Sequence, residues 1–186
     1  MRKHIGMALV VVGLAVAPNV ARAQMAAHNV GNQPTEGLLF GAGAGLILPT
    51  GNYGTFDNMG WHLMGLVQMP LHNTPVHLRF DLMYGQTSVK SPGTGKTKLL
   101  GGTVDALYHF GDRSAGLRPY VLGGLGYYKV SDGGSSSAIA FGFGGGVLFG
   151  IGTSMHGFAE ARYMSVQTSG TTSFVPITVG LMFSAK

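Results

Sequence analysis

The stretch Val76–Gly85, VHLRFDLMYG, sets His77, Arg79 and Asp81 between Val76, Leu78, Phe80, Leu82 and Tyr84. Successive side chains of a β-strand point to opposite faces, so the three polar residues share one face and the five apolar ones the other. A soluble sheet would turn the apolar face into a core, whereas a membrane barrel turns it to lipid. The rest of the chain decides between the two.

Seven more segments read as strands: Leu38–Leu48, Met59–Met69, Leu99–Phe110, Pro119–Val130, Ala138–Gly150, Gly157–Gln167 and Phe174–Ser184, with Val76–Val89 third in order. No window has helical periodicity. Clusters such as PTGNYGTFDN, SPGTGK and SDGGSSS separate the strands as turns. Most segments are about twice the usual globular length of five to six residues and match what a tilted strand needs to cross a bilayer.

The residues opposite the apolar faces point the same way. Gly41, Gly43 and Gly45 oppose Phe40, Ala42, Ala44 and Leu46; Gly142, Gly144 and Gly146 oppose Phe141, Phe143, Val147 and Phe149. The outside of a soluble barrel would carry polar side chains there. A narrow lumen accepts glycine wherever a long residue crosses from the other wall. With strands alternating up and down, one rim is expected to hold Phe40, Tyr108, Phe110, Tyr120, Phe149, Phe158 and Phe183. The other is expected to hold Trp61, Tyr84, Tyr127, Tyr128, Phe141, Phe143, Tyr163 and Phe174. Two aromatic belts around an aliphatic band mark transmembrane barrels. The expected fold is therefore all-β: an eight-stranded antiparallel up-and-down transmembrane barrel, with His77, Arg79 and Asp81 in the lumen. An arginine facing lipid at the midplane would cost about 2–4 kcal/mol.

The chain begins with Arg2 and Lys3, an apolar run from Ile5 to Ala17, and Ala21-Arg22-Ala23. This order is that of a signal peptide, residues 1–23, cut before Gln24; the apolar run falls short of the roughly 20 residues a membrane helix needs. Residues 24–37 read as a flexible lead-in and 38–186 as the barrel. Removing the leader takes away three of twelve basic residues and none of seven acidic ones, so the mature chain carries nine against seven, a net of +2. That balance gives no support for a nucleic-acid partner. The absence of cysteine excludes disulfides and thiolate chemistry.

The eight-strand plan, RPYVLGGLGYYKV at Arg118–Val130, FAEARYM at Phe158–Met164 and the closing FVPITVGLMF at Phe174–Phe183 resemble the family of small outer-membrane β-barrel domains, typified by the OmpA membrane domain and OmpX-like barrels. The resemblance implies a Gram-negative outer membrane, termini in the periplasm, short periplasmic turns, and insertion by the barrel assembly machinery, which reads a last strand such as Val179, Leu181, Phe183. It departs from the pattern at Thr178, where glycine is often found, and in Ser184-Ala185-Lys186 after the phenylalanine.

Arg79, Asp81, Asp105, Glu160 and Arg162 should share one layer of the lumen, with His77 and His109 nearer the periplasmic rim. Burying ions is costly, so they should persist as a hydrogen-bonded network: a structural plug or a gate that can rearrange. Arg79 is expected opposite Asp105, since the other register sets Asp81 against Asp105. The histidines lack compact ligand spacing, so no metal or other cofactor is expected. No His-x-Ser, the pattern of outer-membrane lipid A deacylases, occurs in the chain. Gly93–Thr97, GTGKT, lacks the first glycine of a phosphate loop, Lys90 standing in its place. Lys90, Lys96 and Lys98 make the second outer loop basic, either simply solvated or docked to lipopolysaccharide phosphates. The expected role is structural or surface-interacting, for a monomer among membrane lipids including lipopolysaccharide. Three alternatives stay open: an outer-membrane lipid-modifying enzyme, a narrow pore, and a soluble periplasmic ligand-binding barrel.

Overall fold

The computed structural model describes residues 37–72, 74–111, 115–151, 154–168 and 171–185. The signal peptide and most of the lead-in lie outside the described residues. Eight strands follow one another: β1 (Leu39–Thr50), β2 (Asp57–Pro70), β3 (Val76–Val89), β4 (Lys96–His109), β5 (Leu117–Ser131), β6 (Ser136–Gly150), β7 (Met155–Val166) and β8 (Thr172–Ser184). Each pairs antiparallel with its neighbours in sequence, and β1 pairs with β8 from Leu39↔Ser184 to Thr50↔Ser173, closing the barrel. Closure leaves no sheet edge with unpaired backbone groups, which is the condition for lying in hydrocarbon.

Burial follows the period-two pattern, inside out. Arg79 is 1% exposed and Arg162 6%, whereas Leu82 and Val179 are 64% and 62% exposed. The soluble-barrel alternative, which needs the reverse, is excluded by this arrangement. The lipid-facing belts hold Phe40, Tyr108, Phe110, Phe149 and Phe183 at the rim of the chain ends, and Trp61, Tyr84, Tyr127, Phe141 and Phe143 at the far rim. Four aromatics expected in the belts are buried in the lumen instead: Tyr120, Tyr128, Phe158 and Phe174. Each has the inward parity of its strand, so position along the strand placed it near a rim while alternation turned it inside.

Inside, three layers stack. An apolar cluster that includes Ile47, Met83, Leu99, Tyr128, Met164 and Phe174 fills the outer end. Another, with Leu39, Leu66, Leu107, Leu122, Phe158 and Met182, fills the end near the termini. Between them the strands β3, β4 and β7 project charged side chains, while β1, β5 and β6 present Gly43, Gly124 and Gly144. A β-carbon at Gly124 would stand 2.6 Å from Asp105 Oδ1 and 2.0 Å from the backbone oxygen of Val104. The glycine walls thus vacate the volume that the charged side chains occupy.

Two features depart from the sequence reading. Gly51–Phe56 forms a short helix, α1, between β1 and β2, where only a turn was expected; six residues are too few to display a period. The connections are four to six residues long at the end away from the chain termini, the end expected to face outward, and four to seven at the end near them, so the former are no longer than the latter. Lys96 and Lys98 consequently belong to β4 rather than to a loop.

Candidate functional site

All seven lumen residues expected from the sequence are buried within the barrel: His77, Arg79, Asp81, Asp105, His109, Glu160 and Arg162. Arg79 stands opposite Asp105 in the β3–β4 register, as expected. The ion pairs, however, run along β3 and along β7 and across the lumen between strands. Arg79 donates from Nε to Asp81 Oδ1 at 2.7 Å and from Nη1 to Glu160 Oε2 at 2.7 Å. Arg162 donates from Nε to Glu160 Oε1 at 2.5 Å, from Nη1 to Asp105 Oδ2 at 3.0 Å, and from Nη2 to Asp81 Oδ2. Two guanidiniums therefore hold three carboxylates, each in charge-assisted geometry.

Neutral groups complete the shell. Tyr120 donates its hydroxyl to Glu160 Oε2 at 2.7 Å, Thr103 donates to Asp105 Oδ2 at 2.6 Å, and the Arg79 guanidinium carbon lies 5.6 Å from the Phe158 ring centre, in cation–π range. Tyr120, Thr103 and Phe158 were not anticipated as members of this network. The parity of Arg118 and Tyr120 on β5 was the signal that could have found the first.

His77 and His109 form a separate group nearer the periplasmic end. Their rings lie 4.9 Å apart, edge to face, and Gln68 Nε2 is 3.3 Å from His77 Nδ1 and from His109 Nε2. His62 lies in the lumen with Nε2 2.9 Å from Thr178 Oγ1. His156 is on β7. Among the described residues no three His, Asp or Glu side chains gather as a metal site.

At the mouth away from the chain termini, α1 lines one side of a partly open cavity of about 470 Å³. Tyr53 turns inward, its hydroxyl 2.6 Å from Thr87 Oγ1 and its ring 6.5 Å from that of Phe174. Thr87 donates to Asp57 Oδ1 at 2.8 Å. Lys90 donates from Nζ to the Gly54 carbonyl at 2.5 Å, which fastens the β3–β4 connection to the helix. Burial pushes the Tyr53 phenol up from 10.0 to about 12, against the opposing effect of its bond to Thr87. The neutral phenol is the form the folded barrel favours, so its stabilisation is whole below pH 10.0 and is lost as pH rises to about 12. In near-ultraviolet absorbance titration, the difference between wild type and Tyr53→Phe is expected to show one phenol ionising near pH 12. A component at pH 10.0 would place Tyr53 in water.

The OprF membrane domain family matches residues 57–174, well over half of the chain. No curated protein sequence matches significantly. Among solved structures, Neisserial surface protein A (NspA) superposes with a TM-score of 0.64 at 18% identity, covering 80% of this chain and 97% of that one. The outer membrane enzyme PagL superposes at 0.54 with 14% identity (80% and 99% covered), and a major outer membrane protein from Thermus thermophilus at 0.53 with 11% identity (80% and 99%). At such identities the likeness is one of fold. The family match over β2 to β7 and the start of β8, together with the closed inside-out barrel, makes the chain a member of the OprF membrane domain family, an outer-membrane β-barrel.

Proposed function

We propose that the protein is a non-conducting structural element of the outer membrane whose lumen is sealed by the Arg79–Asp81–Asp105–Glu160–Arg162 network. The observation that carries this reading is volumetric. The void bordering the charged layer, lined by Met64, Asp81, Glu160, Arg162 and Thr178 among others, holds about 10 Å³. That is at the lower limit for a single water molecule, far below a hydrated ion. Apolar clusters above and below add two further barriers.

The geometry favours a plug over a movable gate. Every charged group of the layer has at least one ionic partner, and an excursion of Arg162 would leave the buried Asp105 without a cation. The buried histidines His62, His77 and His109 are lumenal, away from the surface where a lipid substrate would lie. The short outer connections give weight to a structural role over recognition of an external protein.

Planar-bilayer recording of the refolded mature protein tests the plug. No resolved conductance steps are expected. Stable steps in barrels whose folding is verified by heat-modifiable gel migration would overturn it.

A further inference from the structure

We propose that the outer half of the β3–β6 face is a binding site for one lipopolysaccharide molecule, with Lys98 and Lys129 holding lipid A phosphate and the depression beneath them taking an acyl chain. This rests on the reading of the chain as an outer-membrane barrel and deepens it by naming the lipid and its seat.

The charge distribution is one-sided. Every lysine among the described residues, Lys90, Lys96, Lys98 and Lys129, lies at the outer end of β3, β4 or β5. Lys98 and Lys129 both have the outward parity of their strands and both are exposed. The register pairs Lys98 with Ser131 and Leu100 with Lys129, which makes the two lysines diagonal neighbours, with β-carbons about 7–8 Å apart. Lys96, Lys98 and Lys129 form no ion pair among the described residues. The nearest carboxylate along the chain, Asp132, lines the cavity over the barrel mouth instead. Two unneutralised ammonium groups held side by side at a membrane surface call for a phosphate between them. Their neighbours on the same face, Gln86, Ser88, Ser131 and Ser137, add uncharged hydrogen-bonding groups at that level.

The surface beneath has the complementary shape. A depression of about 610 Å³ is walled by Phe80, Val104, Leu125, Tyr127 and Ile139 and floored by Gly102, where a side chain is missing from the lipid-facing row. Tyr127 lies two residues below Lys129, about 7 Å along the strand, so the cationic pair stands directly over the upper wall. A ligand that is anionic at the headgroup level and apolar below it satisfies both parts. In the outer leaflet such a molecule, with phosphates on an acylated sugar, is lipid A. Lys90, which the basic pattern of the sequence grouped with Lys96 and Lys98, is engaged with Gly54 over the mouth and does not belong to this site.

The test uses the full mature barrel refolded in detergent micelles, with rough lipopolysaccharide as probe and native mass spectrometry and equilibrium titration as readouts. One molecule is expected per barrel. A juxtamembrane lysine is worth about a fivefold factor in affinity toward anionic lipid, so Lys98→Glu/Lys129→Glu should weaken binding by about thirtyfold or more. Val104→Trp, which fills the depression from an exposed position without touching the lysines, should also weaken it, whereas Lys90→Glu should not. Heat-modifiable migration of each variant reports folding separately, and its absence in the wild type would count against the barrel reading itself. The proposal is overturned if the double variant binds as the wild type does, or if phosphatidylglycerol displaces the probe at equal concentration. A barrel dimer dissociated by Val104→Trp and indifferent to lipopolysaccharide would equally overturn it, assigning the depression to a second copy of the chain.

Discussion

Glu160→Ala is expected to lower the unfolding free energy of the barrel by about 3–5 kcal/mol, the loss typical of breaking a buried ion pair by removing one partner. Glu160 accepts bonds from Arg79, Arg162 and Tyr120, and it sits between two apolar layers. Its removal leaves Arg79 with Asp81 as its one carboxylate partner and strips Arg162 of the bond to its Nε. Urea titration of the barrel in lipid vesicles, followed by the fluorescence of the single tryptophan, Trp61, measures the change. Tyr120→Phe, which deletes one neutral donor to the same carboxylate, should cost less, about 1–3 kcal/mol. Combining Glu160→Ala with Arg79→Met should cost less than the two changes summed, because each change alone already breaks the ion pair the two residues share. If Glu160→Ala alters stability by less than about 0.5 kcal/mol, comparable to a surface substitution, the layer is hydrated and the plug reading loses its basis.

Gly124→Ala is expected to be as damaging by a different route, at or beyond the upper end of the about 1–3 kcal/mol that overpacking usually costs. The added methyl would meet the Val104 backbone oxygen at 2.0 Å and the Asp105 carboxylate at 2.6 Å. The carboxylate is fixed by Arg162 and Thr103, and the backbone oxygen belongs to the adjacent strand, so neither can retreat by a rotamer change. The β4–β5 pair would have to part. The control is Gly65→Ala on the lipid face of β2, where a β-carbon has nothing within 4 Å. The fraction of protein reaching the heat-modifiable folded form after refolding should fall steeply for the first variant and stay at the wild-type level for the second. Equal yields would show that the wall has slack the packing does not suggest.

How far the sequence predicted this arrangement differs from feature to feature. Strand identity and facing were legible because alternation is a property of each strand alone: VHLRFDLMYG reads the same in isolation as in the barrel. Strand ends were less so. β4 begins at Lys96 and β6 at Ser136, ahead of the apolar positions that announce them, because ladder bonding continues past the lipid boundary with polar side chains. The register of Arg79 against Asp105 followed from like-charge avoidance between neighbouring strands. Two partners of Arg162 did not, since Asp105 and Asp81 are brought to it across a closed lumen and no local spacing encodes a diameter; Glu160, two residues away on the same face of β7, is the local one. The four misplaced aromatics belong to a third class: their parity was readable, and reading height without parity set them in lipid. α1 was beyond reach for want of length, as was the engagement of Lys90 with its Gly54 carbonyl.

The outer connections of four to six residues have a consequence for how a living cell displays this protein. A hairpin of six residues rises no more than roughly 10 Å above its strands. A protein partner needs about 800 Å² of relief to grip. Connections this short give antibodies, phages and proteases little relief to hold. Serum raised against the extracted barrel is therefore expected to stain broken cells far more strongly than whole ones.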